Sequence, residues 1–414
     1  MPKSFFKSRW RTLLIFLAVA GPGIITSNVD NDAGGIATYS MAGAHFGYSL
    51  LWSLIPIMIA LIIIQEMSAR MGVVTGKGLS DLIREKFGVR ITFYLLLALV
   101  LTNFGNVIAE FAGVASSLEI FRIPKTLSVP IAAFLVWLLV VKGSYRSVEK
   151  VFLFACLFYV TYIISGFLAQ PDWGAVRDGF VSPQFKFSAG SIGMLIGLVG
   201  TTIAPWMQFY LQSAIVEKNI KVRDYKQSRL DVILGSFIVT IVAGFIILTC
   251  AATLFKAGIR VETAKDAALA LEPLAGKYTS LLFAFGLLNA SLFAASILPL
   301  STAFVVCEGM GWEDGVNKKF SEAPQFYGLY SLLIFLGAGI VILPGIPLFP
   351  VIYISQVVNG IVLPVILICI LLLINDKKIM GEYVNKGVYN FLSWATVIIL
   401  VGLSIALLIF LLGA

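Results

Sequence analysis

Runs of about 20 apolar residues recur from one end of the chain to the other, and no polar stretch long enough for a separate domain lies between them. Each run is long enough to cross a hydrocarbon core of about 30 Å. Of the 414 residues, 59% are hydrophobic and 13% are charged. Soluble globular domains carry about 25% charged residues. We therefore predict an all-α integral membrane protein that acts within the membrane or at its short loops.

The apolar runs predict about eleven transmembrane spans joined by short loops. Their approximate bounds are 13–43, 47–66, 92–117, 126–141, 151–169, 190–216, 230–255, 279–307, 326–344, 350–374 and 388–412.

The net charge of +8 raises the question of an acidic partner, so the placement of the 30 Lys and Arg residues matters. With the N-terminus in the cytoplasm, the cytoplasmic segments hold 22 of these residues and the external loops hold 8. This asymmetry follows the positive-inside rule and is explained by topology. We predict a multi-pass cell-membrane protein in a lipid bilayer, with a cytoplasmic N-terminus and an external C-terminus. No nucleic-acid partner is expected, and no obligate protein partner is indicated.

Polar residues and glycines interrupt two of the predicted spans. The first span reads GPGIITSNVDNDAGGIATYSMAG, and the sixth reads GLVGTTIAPWMQFYLQSAI. Within lipid every backbone polar group needs a partner, so such an interruption needs a reason. Paired interrupted spans at corresponding positions indicate an inverted-repeat transporter with its site at the midplane. We predict one transporter domain over 1–414, with repeats at about 13–169 and 190–374 and an accessory span at about 388–412.

The interruption in the first span carries two carboxylates, Asp30 and Asp32. A carboxylate at the centre of a membrane helix costs about 2.5–3.5 kcal/mol on insertion scales. An ordinary kink needs no acid, and the sixth span offers no Lys or Arg before Lys218 at its cytoplasmic end. Since the acids lack a counter-charge, we favour a bound cation over a structural kink.

Polar groups from four spans are candidates for this cation site. Asp32 lies beside Gly34 and Gly35, where an unwound backbone would offer carbonyl oxygens. Gln356 and Asn359 are three residues apart and so share one face of the tenth span. Hard oxygen donors of this kind suit magnesium, calcium or manganese. The other candidates are Asn31 in the first span, Glu110 in the third, and Thr201, Ala204 and Gln208 in the sixth.

The histidine and cysteine content excludes other kinds of site. The only histidine, His45, follows the first span on the predicted external side, so no zinc, haem or histidine-based proton site can be assembled. The four cysteines lie within predicted spans and are interpreted as packing residues. No nucleophile lies beside a base, so we do not expect an enzyme, and the transported ion takes the place of a cofactor.

Residues 21–52 resemble the first span and its exit in the NRAMP family of divalent-metal transporters, including the Gly-Pro-Gly entry and the Gly-Tyr-x-Leu-Leu-Trp exit. Further similar pieces are Ala109–Phe111, Tyr210–Ala214 and Ser355–Val358. The similarity runs in order through spans one to ten and is weak in spans seven to nine. It implies a LeuT-like fold of five plus five inverted helices, with the first and sixth helices broken at the midplane.

The chain departs from the family pattern at its most informative positions. Where the family has Asp-Pro-Gly-Asn, this chain has Asp-Ala-Gly-Gly at residues 32–35, and Met-Pro-His becomes Ala-Pro-Trp at residues 204–206. The second family histidine is Gln212 here, and the acid before the third-span Glu is Val107. An extra residue after Pro205 leaves the register open, and Gln208 is a candidate for the place of a family Asn.

These departures imply a different ion. A methionine sulfur favours manganese and iron over hard ions, so its replacement by Ala204 removes that discrimination and widens the cavity. Magnesium sheds water reluctantly and fits a roomy site with one or two carboxylates. The missing histidines and acid are the family's proton-handling groups. The pattern is similar to that of NRAMP-related magnesium transporters and implies uptake of magnesium, with manganese as a further ion, by alternating access without proton coupling.

Within this hypothesis, Asp32 is the central ligand or the acceptor of a bound water. Gly35 and Ala204 make space, and Gln356 and Gln208 contact the hydrated ion. Six further residues are candidates for lining the cavity, with Asp30 adding charge near the inner vestibule and Glu110 as a weaker ligand or a hydrogen-bond partner of a neighbouring helix. These six are Asp30, Asn31, Gly34, Thr201, Asn359 and Glu110.

Two alternatives stay open. The first is a proton-coupled manganese or iron transporter of the NRAMP family, in which Met207 replaces the missing thioether. The second is a transporter of the same fold that carries an amino acid or another organic substrate. Paired acids at the first interruption would repel a substrate carboxylate, which disfavours the second alternative.

Overall fold

The protein is represented by a computed structural model that describes residues 21–142, 159–182, 187–272 and 276–412. Within these ranges the chain forms helices and loops and contains no strand. Nine helical segments in the described ranges are long and apolar enough to cross a membrane, and they correspond to predicted spans two to four and six to eleven. The multi-pass helical architecture expected from the sequence is therefore confirmed.

The longer helices are labelled α1 to α14 in chain order, and two short helices, Ala264–Ala268 and Lys377–Met380, lie in loops. Their bounds are α1 Pro22–Val29, α2 Ala33–Phe46, α3 Leu54–Thr75, α4 Leu79–Glu119, α5 Lys125–Lys142, α6 Val160–Leu168, α7 Trp173–Val181, α8 Ala189–Thr202, α9 Pro205–Glu217, α10 Tyr225–Cys250, α11 Thr279–Met310, α12 Pro324–Ile342, α13 Leu348–Ile374 and α14 Gly387–Leu412.

The first and sixth predicted spans are each divided into two half-helices, as the sequence predicts. The first span forms α1 and α2, and the sixth forms α8 and α9. The start of the first span and residues 151–158 of the fifth, which include Cys156, lie outside the described residues, as do both chain termini. The membrane side of each terminus therefore stays a prediction. The other three cysteines, Cys250, Cys307 and Cys369, are buried and free.

The predicted bounds of two spans were wrong by several residues. The third span was expected at 92–117, but α4 starts 13 residues earlier and changes direction at Gly88, whose φ of 81° suits a residue without a side chain. Residues 79–91 are amphipathic, and hydropathy locates only the part of a helix that lies in hydrocarbon. The second span was expected from 47, but a 3-10 turn at Leu51–Ser53 precedes α3.

The broken helices lie at the centre of the bundle, and continuous helices enclose them. Helix α10 packs against α1 and α2, while α13 packs against α8, α4 and α2. A Cβ atom on Gly200 would lie 2.0 Å from the carbonyl oxygen of Gln356, so the backbones of α8 and α13 touch. Small residues permit such close approach in membrane helix pairs. The most hydrophobic stretch of α8 and α9 is entirely buried, whereas that of α14 is only 22% buried, so α14 lies at the periphery.

Candidate functional site

The first break occupies residues 30–32, between α1 and α2. Asp32 has extended backbone angles and forms the N-cap of α2, where its Oδ1 accepts a hydrogen bond from the backbone N–H of Gly35 at 2.7 Å. An Asp at this position satisfies an orphan N–H group, and its charge faces the positive end of the helix dipole. The backbone of α2 thus fixes the Asp32 carboxyl group at the centre of the bundle.

Two glycines allow the chain to pack closely at this break. A Cβ atom on Gly35 would lie 2.0 Å from the carbonyl oxygen of Asp30, so any larger residue would push the break open. A Cβ atom on Gly34 would lie 2.0 Å from Nε2 of Gln356, which brings the start of α2 against α13. Gly35 therefore requires glycine because its neighbour is backbone, whereas a larger residue at position 34 would displace the Gln356 side chain.

The residues before Asp32 carry buried polar atoms that have no hydrogen-bond partner. Both carboxyl oxygens of Asp30 and both side-chain amide atoms of Asn31 are in this state, although the residues are only 1% and 0% exposed. A buried polar group without a partner costs about 1–3 kcal/mol, and a charged one costs more. The break therefore contains polar atoms that the described part of the protein leaves for a ligand or water.

Glu110 of α4 completes a pair of acids with Asp32. The two carboxyl groups face each other within hydrogen-bonding reach, and Oε2 of Glu110 also accepts a hydrogen bond from the backbone N–H of Ala33 at 3.3 Å. Its other oxygen, Oε1, is buried without a partner. Two carboxylates in contact repel each other unless a proton or a cation lies between them. The first break and the continuous helix α4 thus each contribute one acidic side chain to this site.

A chain of amides on α13 and α4 supports the acids. Asn106 and Asn359 exchange two hydrogen bonds of 2.9 and 3.1 Å, and Asn359 also donates to Oε1 of Gln356 at 3.0 Å. The Gln356 amide nitrogen donates to Oγ of Ser355 at 2.9 Å, so its side chain is held beside Gly34. The side-chain amide of Asn359 is used in these bonds and helps to hold the Gln356 side chain in position.

Asn106 was not among the candidates that the sequence pattern indicated. It lies four residues before Glu110, and residues at this spacing share a helix face. Its polar character inside an apolar span was the available signal.

The second break lies at residues 203–204, between α8 and α9. Ala204 is extended and buried, and Pro205 occupies the first position of α9, where a missing N–H costs nothing. The carbonyl oxygen of Ala204 accepts from the backbone N–H of Met207 at 3.2 Å. With its amide oriented to satisfy both atoms, Gln208 donates from Nε2 to the carbonyl oxygens of Ala204 and Pro205, both at 2.9 Å. The carbonyl groups at this break are therefore largely occupied by local bonds.

The end of α8 links the two breaks. Oγ1 of Thr202 lies 2.8 Å from the hydroxyl group of Tyr39 on α2, and it also donates to the carbonyl oxygen of Leu198. The neighbouring Thr201 is buried, and its hydroxyl group has no partner. Helix α2 contacts α8, and α1 contacts α9, so the two broken helices cross near their interruptions.

The predicted site residues therefore fall into two groups. Direct contacts connect Asp32, Gly34, Glu110, Gln356 and, through Gln356, Asn359. The sixth-span candidates line the neighbouring break. Across the described ranges, no group of three or more His, Cys, Asp and Glu side chains has the spacing of a metal site. A cation at this position would thus rely on two carboxylates and neutral oxygen donors.

His45 has a structural contact away from both breaks. Its Nε2 accepts a hydrogen bond of 3.2 Å from the backbone N–H of Val261, in the loop after α10.

Comparison with known proteins places this geometry in context. The sequence profile of the family described as Natural resistance-associated macrophage protein-like matches residues 23–410. The Divalent metal cation transporter MntH of Deinococcus radiodurans is 30% identical over 417 residues, covering 97% of this chain and 91% of that protein. The MntH protein of Bacillus subtilis is 28% identical over 413 residues, covering 97% of this chain and 93% of that protein.

Solved structures show the same architecture. The manganese transporter of Eremococcus coleocola matches with a TM-score of 0.75 and 22% identity, over 99% of this chain and 87% of that one. Mhp1, a nucleobase-cation-symport-1 family transporter, matches with a TM-score of 0.58 and 15% identity, over 95% of this chain and 89% of that one. These likenesses confirm the predicted LeuT-like fold class.

Proposed function

Since the chain belongs to the Natural resistance-associated macrophage protein-like (NRAMP) family, we propose that it carries divalent metal cations across a membrane, with magnesium as the main ion and manganese as a second. The observation that carries this proposal is the buried contact between Asp32 and Glu110, beside the unpartnered polar atoms of Asp30 and Asn31. None of the ion pairs among the described residues involves these three acids. A divalent cation would supply the positive charge that the protein itself does not.

The preference for magnesium rests on the oxygen-rich surroundings of the acids. Asn31 and Thr201 carry buried side-chain oxygens without a hydrogen-bond partner, and Ala204 stands where the family has a methionine whose sulfur favours softer metals. Magnesium keeps several waters when it binds, and it usually uses one or two carboxylates. Asp32 and Glu110 provide that number. Ala204 presents only a methyl group at the second break.

We further propose that transport runs down the ion gradient without proton coupling. The two positions where the family has proton-handling histidines are Trp206 and Gln212 in this chain, and neither side chain ionises near neutral pH. Gln212 instead donates a hydrogen bond of 2.8 Å to the carbonyl oxygen of Lys77.

One observation favours a second candidate, proton-coupled manganese transport. Asp32 and Glu110 are close enough to share a proton when no cation is bound, and an incoming cation would displace it. The relatives named above include manganese and divalent-metal transporters, so this candidate differs in ion preference and coupling alone.

Substitution of Asp32 tests the assignment of the site. We expect Asp32→Ala to abolish magnesium uptake into proteoliposomes, because the fixed carboxylate at the first break is removed. Asp178→Ala is a matched control, since Asp178 is exposed on α7 and its carboxylate pairs with the adjacent Arg177. Full uptake by Asp32→Ala would refute the site, and normal uptake by Asp178→Ala would show that loss of an acid is not by itself harmful.

A further inference from the structure

A second set of buried oxygen atoms lies around Glu308. This residue contacts α9 near the C-terminal end of that helix, away from the two breaks. Glu308 lies in the last turn of α11 and is 6% exposed. Its Oε1 accepts a hydrogen bond from Oγ of Ser213 on α9, while its Oε2 has no partner. A buried carboxylate with one free oxygen is costly unless a proton or a cation satisfies it.

Two other unpartnered oxygens belong to Ser80, at the start of α4, and to Gln212, the residue before Ser213. The start of α4 abuts it, since a Cβ atom on Gly78 would lie 2.0 Å from Oε2 of Glu308, and the backbone amide of Ser80 faces it. The buried hydroxyl group of Ser80 has no partner. Gln212, next to Ser213, donates from Nε2 to the carbonyl of Lys77 at 2.8 Å, which leaves its Oε1 buried and unpartnered.

A purely structural role for Glu308 explains only part of this arrangement. Acidic side chains often stabilise a helix N-terminus, and the Ser80 amide at the start of α4 fits that role. Capping does not use the Ser80 hydroxyl group or Oε1 of Gln212. No basic partner neutralises Glu308 either, because Arg84 pairs with Asp81 at 3.4 Å and Glu308 is absent from the ion pairs of the described ranges.

The surrounding charges are also acidic. Asp81 and Asp314 both lie close enough to Glu308 to repel its negative charge. This end of the bundle carries basic loops in the predicted topology, so an acidic group here runs against the local trend. Charge of one sign concentrated in a low-dielectric cleft attracts ions of the opposite sign.

Helix α9 connects this group directly to the second break. Ser213 lies nine residues after Ala204, which corresponds to about 13 Å along a helix that rises 1.5 Å per residue. Helix α3 packs along α9, and Gly72 of α3 contacts Gln212. Ser68 and Gln65 lie one and two turns before Gly72, and their buried polar atoms also lack partners. Unsatisfied polar atoms therefore extend from the breaks toward Glu308.

We propose that Glu308, Ser80, Ser213 and Gln212 form a second divalent-cation site. It would hold the ion between the site at Asp32 and Glu110 and the end of the bundle that bears the basic loops. The inference rests on the proposed function. One carboxylate with neutral oxygens binds a largely hydrated ion weakly, and a site on an exit path must bind weakly enough to release its ion.

Manganese titration of the purified full-length chain in detergent tests this site, with bound Mn²⁺ counted by electron paramagnetic resonance. We expect the native chain to bind two Mn²⁺ ions and Glu308→Gln to bind one. Asp32→Ala also binds one, because it retains the Glu308 site. Glu313→Gln is the matched control, since Glu313 is exposed on the following loop and pairs only with Lys318 among the described ion pairs; it retains both ions.

Ser80→Ala keeps the test decisive if Glu308→Gln does not fold. The hydroxyl group makes no hydrogen bond, so its removal leaves folding intact and weakens the second Mn²⁺ site about threefold or more. Two bound ions in Glu308→Gln, or unchanged affinity in Ser80→Ala, would overturn the second site and leave the proposed function standing. Absence of magnesium and manganese uptake by the native chain, together with loss of one ion in Glu308→Gln, would overturn the proposed function instead.

Discussion

The two helix breaks use the same backbone device for different purposes. At the first break, Asp32 caps α2 and contacts Glu110, and the neighbouring polar atoms lack partners. At the second break, Pro205 starts α9 without a side-chain cap, and Gln208 occupies the nearby carbonyl groups. The first break thus provides charge, whereas the second provides a small apolar side chain, Ala204, and carbonyl groups occupied by local bonds. We infer that the first decides whether a cation binds and the second decides which cation binds.

The helix ends explain why the breaks differ. A helix N-terminus has unsatisfied N–H groups, and α2 satisfies one of them with the Asp32 carboxylate. Helix α9 begins with a proline, which has no N–H group to satisfy. An acid is therefore useful at the first N-terminus and unnecessary at the second. The chemical contrast follows from the residues DNDAGG and IAPW at the two positions.

The largest effect on this contrast is expected from Gly35→Ala. The added Cβ would lie 2.0 Å from the Asp30 carbonyl oxygen, which is backbone and cannot move aside independently. Overpacking of this kind costs about 1–3 kcal/mol, and it displaces the Asp32 cap. Magnesium uptake into proteoliposomes should fall at least tenfold, and a tenfold change corresponds to about 1.4 kcal/mol.

Gly105→Ala is the control for that substitution. Gly105 lies in α4, and nothing approaches within 4 Å of a Cβ at this position. Uptake should stay at the native level, and the helix should gain up to about 1 kcal/mol because alanine favours the helical state. Equal losses in the two variants would mean that close packing at the first break is unimportant.

An intermediate effect is expected from Ala204→Met at the second break. The thioether adds a soft ligand and fills space, so the ratio of manganese to magnesium uptake should rise about tenfold, equivalent to about 1.4 kcal/mol. Competition between the two ions in a flux assay measures this ratio. Ala204→Leu fills the same space without sulfur and should lower uptake of both ions together. A similar ratio in the Met and Leu variants would contradict a role for sulfur chemistry at this position.

The smallest effects are expected from a matched pair of substitutions at the end of α8. Thr202→Val removes hydrogen bonds to Tyr39 and Leu198 and should cost about 1 kcal/mol of stability with little change in ion affinity. Thr201→Val removes an unpartnered hydroxyl group, so stability should hold while the KM for magnesium rises about threefold. Thermal unfolding and uptake kinetics separate the two. If Thr201→Val lowered stability and Thr202→Val raised the KM, Thr201 would have no role in ion binding.

The sequence predicted the two breaks because charged and helix-breaking residues inside an apolar span are conspicuous. It placed Asp32, Glu110 and Gln356 together only as candidates, and their contacts depend on how α2, α4 and α13 pack. The role of Asn106 was missed because an amide inside a span looks the same whether it faces a helix or a cavity. The start of α4 was missed because hydropathy does not register a helix that continues outside the hydrocarbon layer.

Magnesium flux into proteoliposomes that contain a magnesium-sensitive dye and an internal pH dye tests the central claim most directly. Manganese and calcium serve as competitors. We predict magnesium uptake down its gradient, competition by manganese, and no change in internal pH, because the first break supplies charge and residues 203–204 of the second carry neither sulfur nor histidine. Manganese uptake that acidifies the interior, with magnesium excluded, would contradict this account.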